Sequence, residues 1–307
     1  MIQLGAFDIQ ARLGRGGMGE VWRGVHREQH VQVAVKLLTG QLSSNQTFRE
    51  AFRAEVRAVA ALDHPNIIMV FDHGEVDPAA AEASKGALEP GTPYLVMELA
   101  EGGGLDARTA PMTWPELKET CLSLLDALAH AHARGVVHRD IKPANVLLGG
   151  ARPGLKLTDF GLAHAMERDG RDFAGGTPSY MAPEQFEGRW RDYGPWTDLY
   201  AVGCLVHTLC AGGPPYGLLD QWNRGMVAHL SRPIPALRTP MPVPEGFDAW
   251  TRTLLAKDPA KRFRRAADAA WALAQLGDSV AMVAASAPPA PGPPEPSEQE
   301  TLVLGDA

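Results

Sequence analysis

Two rhythms of apolar and polar residues divide the chain. Near the front, short apolar and β-branched runs alternate with turn-forming residues. Phe7 to Leu13, Glu20 to Val25, Val31 to Leu38 and Tyr94 to Leu99 read as strands. One segment breaks that rhythm: Phe48, Phe52, Val56, Val59 and Leu62 recur at helical spacing, and Thr47 with Glu50 fits a capping box. Asp77 to Pro93 is of low complexity and predicts a surface loop between strands, no more than a spacer. After Gly102 the period becomes helical. Thr113 and Glu116 open a helix with Pro115 in its first turn, Leu117, Cys121, Leu124, Leu125 and Leu128 form its apolar stripe, and Gly135 ends it. Thr197 to Ala211 reads as a second buried helix, stopped by Gly212-Gly213-Pro214-Pro215, with further helices over Asp248 to Leu255 and Ala266 to Leu276. A strand-rich front and a helix-rich back predict an α+β arrangement in two lobes.

Composition adds a tail and removes several functions. From Ser279 the chain turns Ala/Pro-rich and then acidic through Glu300, a composition that buries too little apolar surface to offset chain entropy, so an extended or disordered tail is expected. With 45% hydrophobic residues, the rest of the chain can bury a substantial core. The net charge of −7, with no long basic run, argues against general nucleic-acid binding. Cys121, Cys204 and Cys210 are too few and too scattered for a disulfide framework, so a reducing, cytoplasmic setting is expected. Met1 to Ile9 lacks the pattern of a secretory leader, and no run of about 18 apolar residues offers a membrane span.

Several motifs carry chemistry. Gly14-Arg15-Gly16-Gly17-Met18-Gly19 fits GxGxxG, but a strand pattern rather than a helix follows it. The glycines therefore read as a hairpin tip, either an ordinary turn or one that presses backbone N–H groups onto phosphates. Lys36 ends the buried run Val33-Ala34-Val35 and must find an anion. Glu55, on the inward face of the predicted helix, is the natural candidate. His138-Arg139-Asp140-Ile141-Lys142-Pro143-Ala144-Asn145 is the most specific segment. Asp140 can accept a hydroxyl proton, Lys142 can neutralise a phosphoryl group in flight, and Asn145 offers an amide oxygen to a metal. Asp159-Phe160-Gly161 follows a predicted hairpin, Val146 to Leu148 with Leu155 to Leu157. That hairpin places Asp159 and Asn145 on adjacent strand ends, as a pair of the hard oxygen ligands magnesium prefers.

These segments, with Ala182-Pro183-Glu184, Asp198 and Arg262, resemble the eukaryotic-like (Hanks-type) serine/threonine protein kinase family, in the style of its bacterial branch. The resemblance runs from about Phe7 to Leu276. It implies a bilobal kinase domain over 7–277, with a small lobe at about 7–98 and a large lobe at about 101–277, followed by the tail 278–307. It further implies transfer of the γ-phosphoryl group of ATP to Ser/Thr hydroxyls of protein substrates, with autophosphorylation, and with Mg2+ (or Mn2+) as the metal. By that resemblance Leu13, Gly14, Gly16 and Gly19 cover the nucleotide, and Lys36, held by Glu55, contacts its α- and β-phosphates. Val21, Ala34 and Leu147 sandwich adenine, Glu98 and Ala100 hydrogen-bond it through their backbone, and Met97 is the gatekeeper. Asn145 and Asp159 hold the metal, Asp140 is the base, and Lys142 stabilises the transferred group. Glu184 and Arg262 are expected to pair in the large lobe, and the Thr177 hydroxyl to bridge Asp140 and Lys142.

The chain departs from the family pattern in one respect. Arg139 before the catalytic aspartate usually goes with a phosphorylated activation loop, yet no Ser, Thr or Tyr lies between Asp159 and Gly176. Asp169 or Asp172 is the expected substitute charge. Thr301, preceded by Glu298-Gln299-Glu300, is a candidate autophosphorylation site for a phosphothreonine-binding partner. A nucleotide-binding scaffold without activity would ordinarily have lost one of the motif residues, and a small-molecule kinase would lack Ala182-Pro183-Glu184; neither loss is found here.

Overall fold

The computed structural model describes residues 2–16, 19–38, 46–150, 153–160, 178–219 and 221–277, the side chains of 46–49 and 51 excepted. The expectations for Thr177, Asp169, Asp172, Gly161 and Thr301 lie outside these residues.

The strand signals at the front build one antiparallel sheet. Its strands are β1 (Ile2–Leu4), β2 (Phe7–Gly16), β3 (Gly19–His26), β4 (Gln32–Leu37), β5 (Val70–Glu75) and β6 (Pro93–Glu98), in the order β1-β2-β3-β4-β6-β5. Val33, Val35 and Leu37 on β4 and Tyr94 and Val96 on β6 are buried, which explains their continuous apolar runs. Helix α1 (Gln46–Ala60) buries Phe52, Val56 and Val59. It begins at Gln46, so Thr47 lies inside the helix rather than ahead of it as a cap.

The stretch expected to be a spacer loop is built into the small lobe. Pro78–Ala83 forms α2, capped by the Asp77 carboxylate, which accepts the Ala80 N–H at 2.7 Å. Val76, Ala80, Ala81 and Leu88 join the core under the sheet. Alanines hide this role in the sequence, because their small side chains give a weak apolar period even where they are buried.

The large lobe is helical: α3 (Trp114–His132), α4 (Pro183–Phe186), α5 (Pro195–Ala211), α6 (Trp222–Ser231), α7 (Phe247–Leu254) and α8 (Ala266–Gln275). The Thr113 and Glu116 capping box forms as predicted, and Leu117, Cys121, Leu124, Leu125 and Leu128 are all buried. Gly212, at φ 77°, ends α5 in the left-handed conformation that glycine tolerates. Helix α6 gave no sequence signal. Its Gly225 lies so close to Pro178 and Phe186 that a Cβ would come within 2.8 Å of Pro178 Cβ, so the helix buries a backbone face rather than an apolar stripe. Between the lobes lies the hairpin of β7 (Val146–Leu148) and β8 (Leu155–Leu157), with Leu147 opposite Lys156.

Candidate active site

The segment His138 to Asn145 is shaped by an acid from α5. Asp198 is fully buried and accepts the backbone N–H groups of His138 at 2.8 Å and Arg139 at 2.7 Å, together with His132 Nε2 at 2.7 Å. Burial alone would raise its pKa, but the His132 hydrogen bond and the neighbouring donors bring it below the usual aspartate value. These bonds offset the strain of Arg139, which sits at φ 69°, a conformation that costs a non-glycine residue about 1–3 kcal/mol. Gln185 holds the same turn from the other side, donating Nε2 to Arg139 O at 3.0 Å while its Oε1 accepts the Ala182 N–H.

His138 ties this loop to the strand that carries Asp159. Its Nδ1 accepts the Asp140 N–H at 3.2 Å, so Nε2, at 2.8 Å from Thr158 O, carries the proton and donates. Burial pushes its pKa down, consistent with a neutral ring, and that ring packs against Phe160 at 4.6 Å.

Asp140, Lys142 and Asn145 converge. Asp140 Oδ2 accepts Lys142 Nζ at 2.7 Å and Asn145 Nδ2 at 3.0 Å, and Asn145 Nδ2 also donates to Asp140 O at 2.7 Å. With both amide protons spent on Asp140, the Asn145 amide oxygen is the group left to bind something else. The Thr158 N–H donates to Asn145 O at 3.0 Å, which sets Asn145 beside Asp159 as the hairpin predicted. Asp159 stands at φ 64°. Burial opposes its charge, yet Lys36 holds its carboxyl below the usual range. A carboxylate and an amide oxygen form a hard donor pair suited to a divalent cation.

The partner of Lys36 differs from expectation. Lys36 Nζ lies 2.7 Å from Asp159 Oδ2, and Glu55 faces Arg139 Nη1 at 3.6 Å. No ion pair joins Lys36 to Glu55 among the described residues. The sequence spacing placed Glu55 on the correct face of α1. It could not place α1 relative to the large lobe, where Arg139 faces the Glu55 carboxylate.

Above these groups, Ala34 and Met97 are buried with Ile68, and Val21, Leu99, Ala100 and Leu147 pack against them as one apolar cluster. Thr158 Oγ1 lies 3.8 Å from Met97 Sδ. Leu13 is 46% exposed and stands apart from this cluster. Gly14 and Gly16 lie on β2, and a Cβ on either would meet nothing within 4 Å. Neither position has a left-handed φ, so among the described residues neither backbone conformation nor packing requires glycine there. Gly19 is different: at φ 145° its Cβ would fall 1.9 Å from Leu37 O.

Glu184 and Arg262 form the expected pair, Nη1 to Oε1 at 2.8 Å and Nη2 to Oε2 at 3.0 Å. Sequence reasoning noticed Asp198 but not its role, and missed His132 and Gln185 altogether. Asp198 and Gln185 bond backbone groups, and His132 bonds an aspartate sixty-six positions away, contacts that leave no trace in residue spacing.

A two-lobed fold with this loop, hairpin and glycine strand defines a protein kinase, and comparison with known proteins agrees. The protein kinase domain family model matches residues 7–271, and the chain belongs to that family. Serine/threonine-protein kinase PknH of Mycobacterium tuberculosis is 37% identical over 276 residues, covering 87% of this chain and 41% of PknH. Serine/threonine-protein kinase Pkn1 of Myxococcus xanthus is 36% identical, over 85% of this chain and 37% of its own length. PknA of M. tuberculosis is 35% identical, over 96% of this chain and 64% of its own length. The chain thus spans less than two thirds of these relatives. The crystal structure of the M. tuberculosis PknI kinase domain superposes with a TM-score of 0.68 at 27% identity, covering 90% of this chain and 98% of that one. No helix among the described residues is long and apolar enough to cross a membrane.

Proposed function

We propose that this chain is an ATP-dependent protein serine/threonine kinase. The observation that carries the reading is the convergence of Asp140, Lys142 and Asn145 by hydrogen bonds of 2.7–3.0 Å, with Asp159 on the adjoining strand end. Membership of the protein kinase family and the names of its bacterial relatives support the same reaction.

In this reading adenine enters the apolar cluster of Val21, Ala34, Met97 and Leu147, with the backbone of Glu98 and Ala100 at its edge. The backbone N–H groups near Gly14, Gly16 and Gly19 cover the phosphates, and Lys36 adds its charge to them. The hydroxyl of a Ser or Thr side chain approaches Asp140. As its oxygen forms a bond to the γ-phosphorus, the bond from that phosphorus to the β,γ-bridging oxygen breaks. The hydroxyl proton passes to Asp140, and ADP keeps the electron pair of the broken bond. Lys142, beside Asp140, neutralises the phosphoryl oxygens during transfer. Asn145 and Asp159 would hold a divalent cation, for which their hard oxygens favour Mg2+ over softer metals, and which when bound offsets the charge of the triphosphate. Autophosphorylation, with Thr301 as one target for a phosphothreonine-binding partner, and placement in a reducing, cytoplasmic compartment belong to the same reading.

The test is labelled ATP with Mg2+, the purified chain and a generic basic protein, beside Asp140→Asn. Label on Ser or Thr is expected to fall by about 100-fold or more in the variant. Equal labelling by both proteins would refute the assignment of Asp140.

A further inference from the structure

Glu98 ends β6 at the junction of the lobes, and its side chain is 2% exposed. The Glu98 N–H donates to Met69 O, and Glu98 Oε1 accepts the Met69 N–H, both at 2.9 Å. The same oxygen lies 3.1 Å from Lys156 Nζ, whose side chain is 1% exposed. Lys156 is the middle residue of β8, three positions before Asp159 and directly across the hairpin from Leu147. Gly150 closes over the pair at φ 104°, where a Cβ would come within 2.7 Å of Glu98 Oε2. An ion pair thus joins the last strand residue of the small lobe to the hairpin beneath the apolar cluster. Buried ion pairs are weak contributors to stability, since apolar residues of similar volume often pack as well or better. What such a pair supplies is direction, because a carboxylate held by an ammonium and by a backbone N–H cannot rotate.

We propose that Lys156 is a positioning residue for the nucleotide. By holding the Glu98 carboxylate it fixes the angle at which the backbone of Glu98 and Ala100 meets the base, and so sets the preference for adenine over guanine. The inference rests on the nucleotide reading of the cleft given above. The two bases present opposite groups at the equivalent position, a 6-amino donor on adenine and a 6-oxo acceptor on guanine. A rigid backbone carbonyl and N–H reward one pattern and leave unpaired groups with the other, whereas a hinge free to shift loses that distinction.

Equilibrium affinities of the whole chain for ATP and for GTP test this without requiring turnover. They would be measured by calorimetry for the unsubstituted chain, Lys156→Met, Glu98→Gln, and the double variant, with melting temperatures alongside. Lys156→Met is expected to weaken ATP about tenfold and GTP by less than about threefold, so that the ATP preference collapses. The double variant leaves no lone buried charge and keeps an acceptor for the Met69 N–H. It should recover part of the ATP affinity while its preference stays about threefold or more below that of the unsubstituted chain. It carries the test alone if Lys156→Met does not fold. An unchanged ATP-to-GTP ratio in a folded variant, whatever its melting temperature, would make the pair purely structural and overturn the inference. An unsubstituted chain that binds ATP but transfers no phosphate would fail the kinase reading and leave this one standing; absence of ATP binding would overturn both.

Discussion

The charged networks of the two lobes are organised in opposite ways. In the large lobe, Glu184, Arg262 and Asp198 are each enclosed by several short bonds: Arg262 pairs with Glu184 and also donates to Ala256 O, Trp196 O and Lys257 O, while Thr197 Oγ1 donates to Glu184. Between the lobes, Lys36 and Glu55 have each taken a partner from the large lobe, Asp159 and Arg139. The first network is closed within one packed body. The second joins α1 and β4 to residues of the large lobe, so it depends on where α1 stands against that lobe.

The largest test of this contrast is Arg262→Ala, which strands the buried Glu184 carboxylate. A loss of about 3–5 kcal/mol of stability is expected, read by denaturant unfolding; a loss no larger than that of a surface arginine would deny the large lobe its closed network. Asp159→Asn should instead lower Mg2+-dependent transfer by about 100-fold or more, equivalent to about 3 kcal/mol of barrier, with a smaller change in melting temperature. A variant that unfolds as readily as Arg262→Ala would show Asp159 to be structural as well.

Acid should act on the large lobe through His229. Its ring is buried, donates or accepts at Tyr200 Oη at 2.9 Å, and burial, then Lys257, hold its pKa at about 3. It is neutral in the folded chain and protonates near pH 6.5 once unfolded, so its contribution is present above that pH and is lost as pH falls toward 3. Lowering the pH from 7 to 5 should cost about 2 kcal/mol from this residue, and His229→Gln should flatten that part of the stability curve. The smallest effect concerns the lobe junction. Arg139→Met removes one partner of Glu55, and a rise in basal labelling of about threefold, or under 1 kcal/mol, is expected. A fall would mean that Glu55 works from its position beside Arg139.

Much of this was legible in the chain. The β7–β8 hairpin, the Thr113 cap, the stripe of α3 and the Asp140, Lys142 and Asn145 constellation all depend on residues near one another in sequence, where spacing fixes geometry. Helix α2 escaped because its buried residues are alanines, and Lys156 escaped because a lysine between two leucines in a three-residue strand looks like the polar member of an alternation.

Residue order alone supplies the available groups: the strand and helix periods, the glycines of β2, the loop from His138 to Asn145, and the identity of each charged residue. Tertiary structure decided which charges meet. Asp198 reaches the His138 and Arg139 N–H groups from some sixty positions away in sequence, Lys156 reaches Glu98 across the lobe boundary, and Lys36 rests on Asp159 rather than Glu55. Spacing along a chain constrains neighbours within an element, whereas pairing between elements follows from how their apolar faces pack, and that is settled only when the whole core forms.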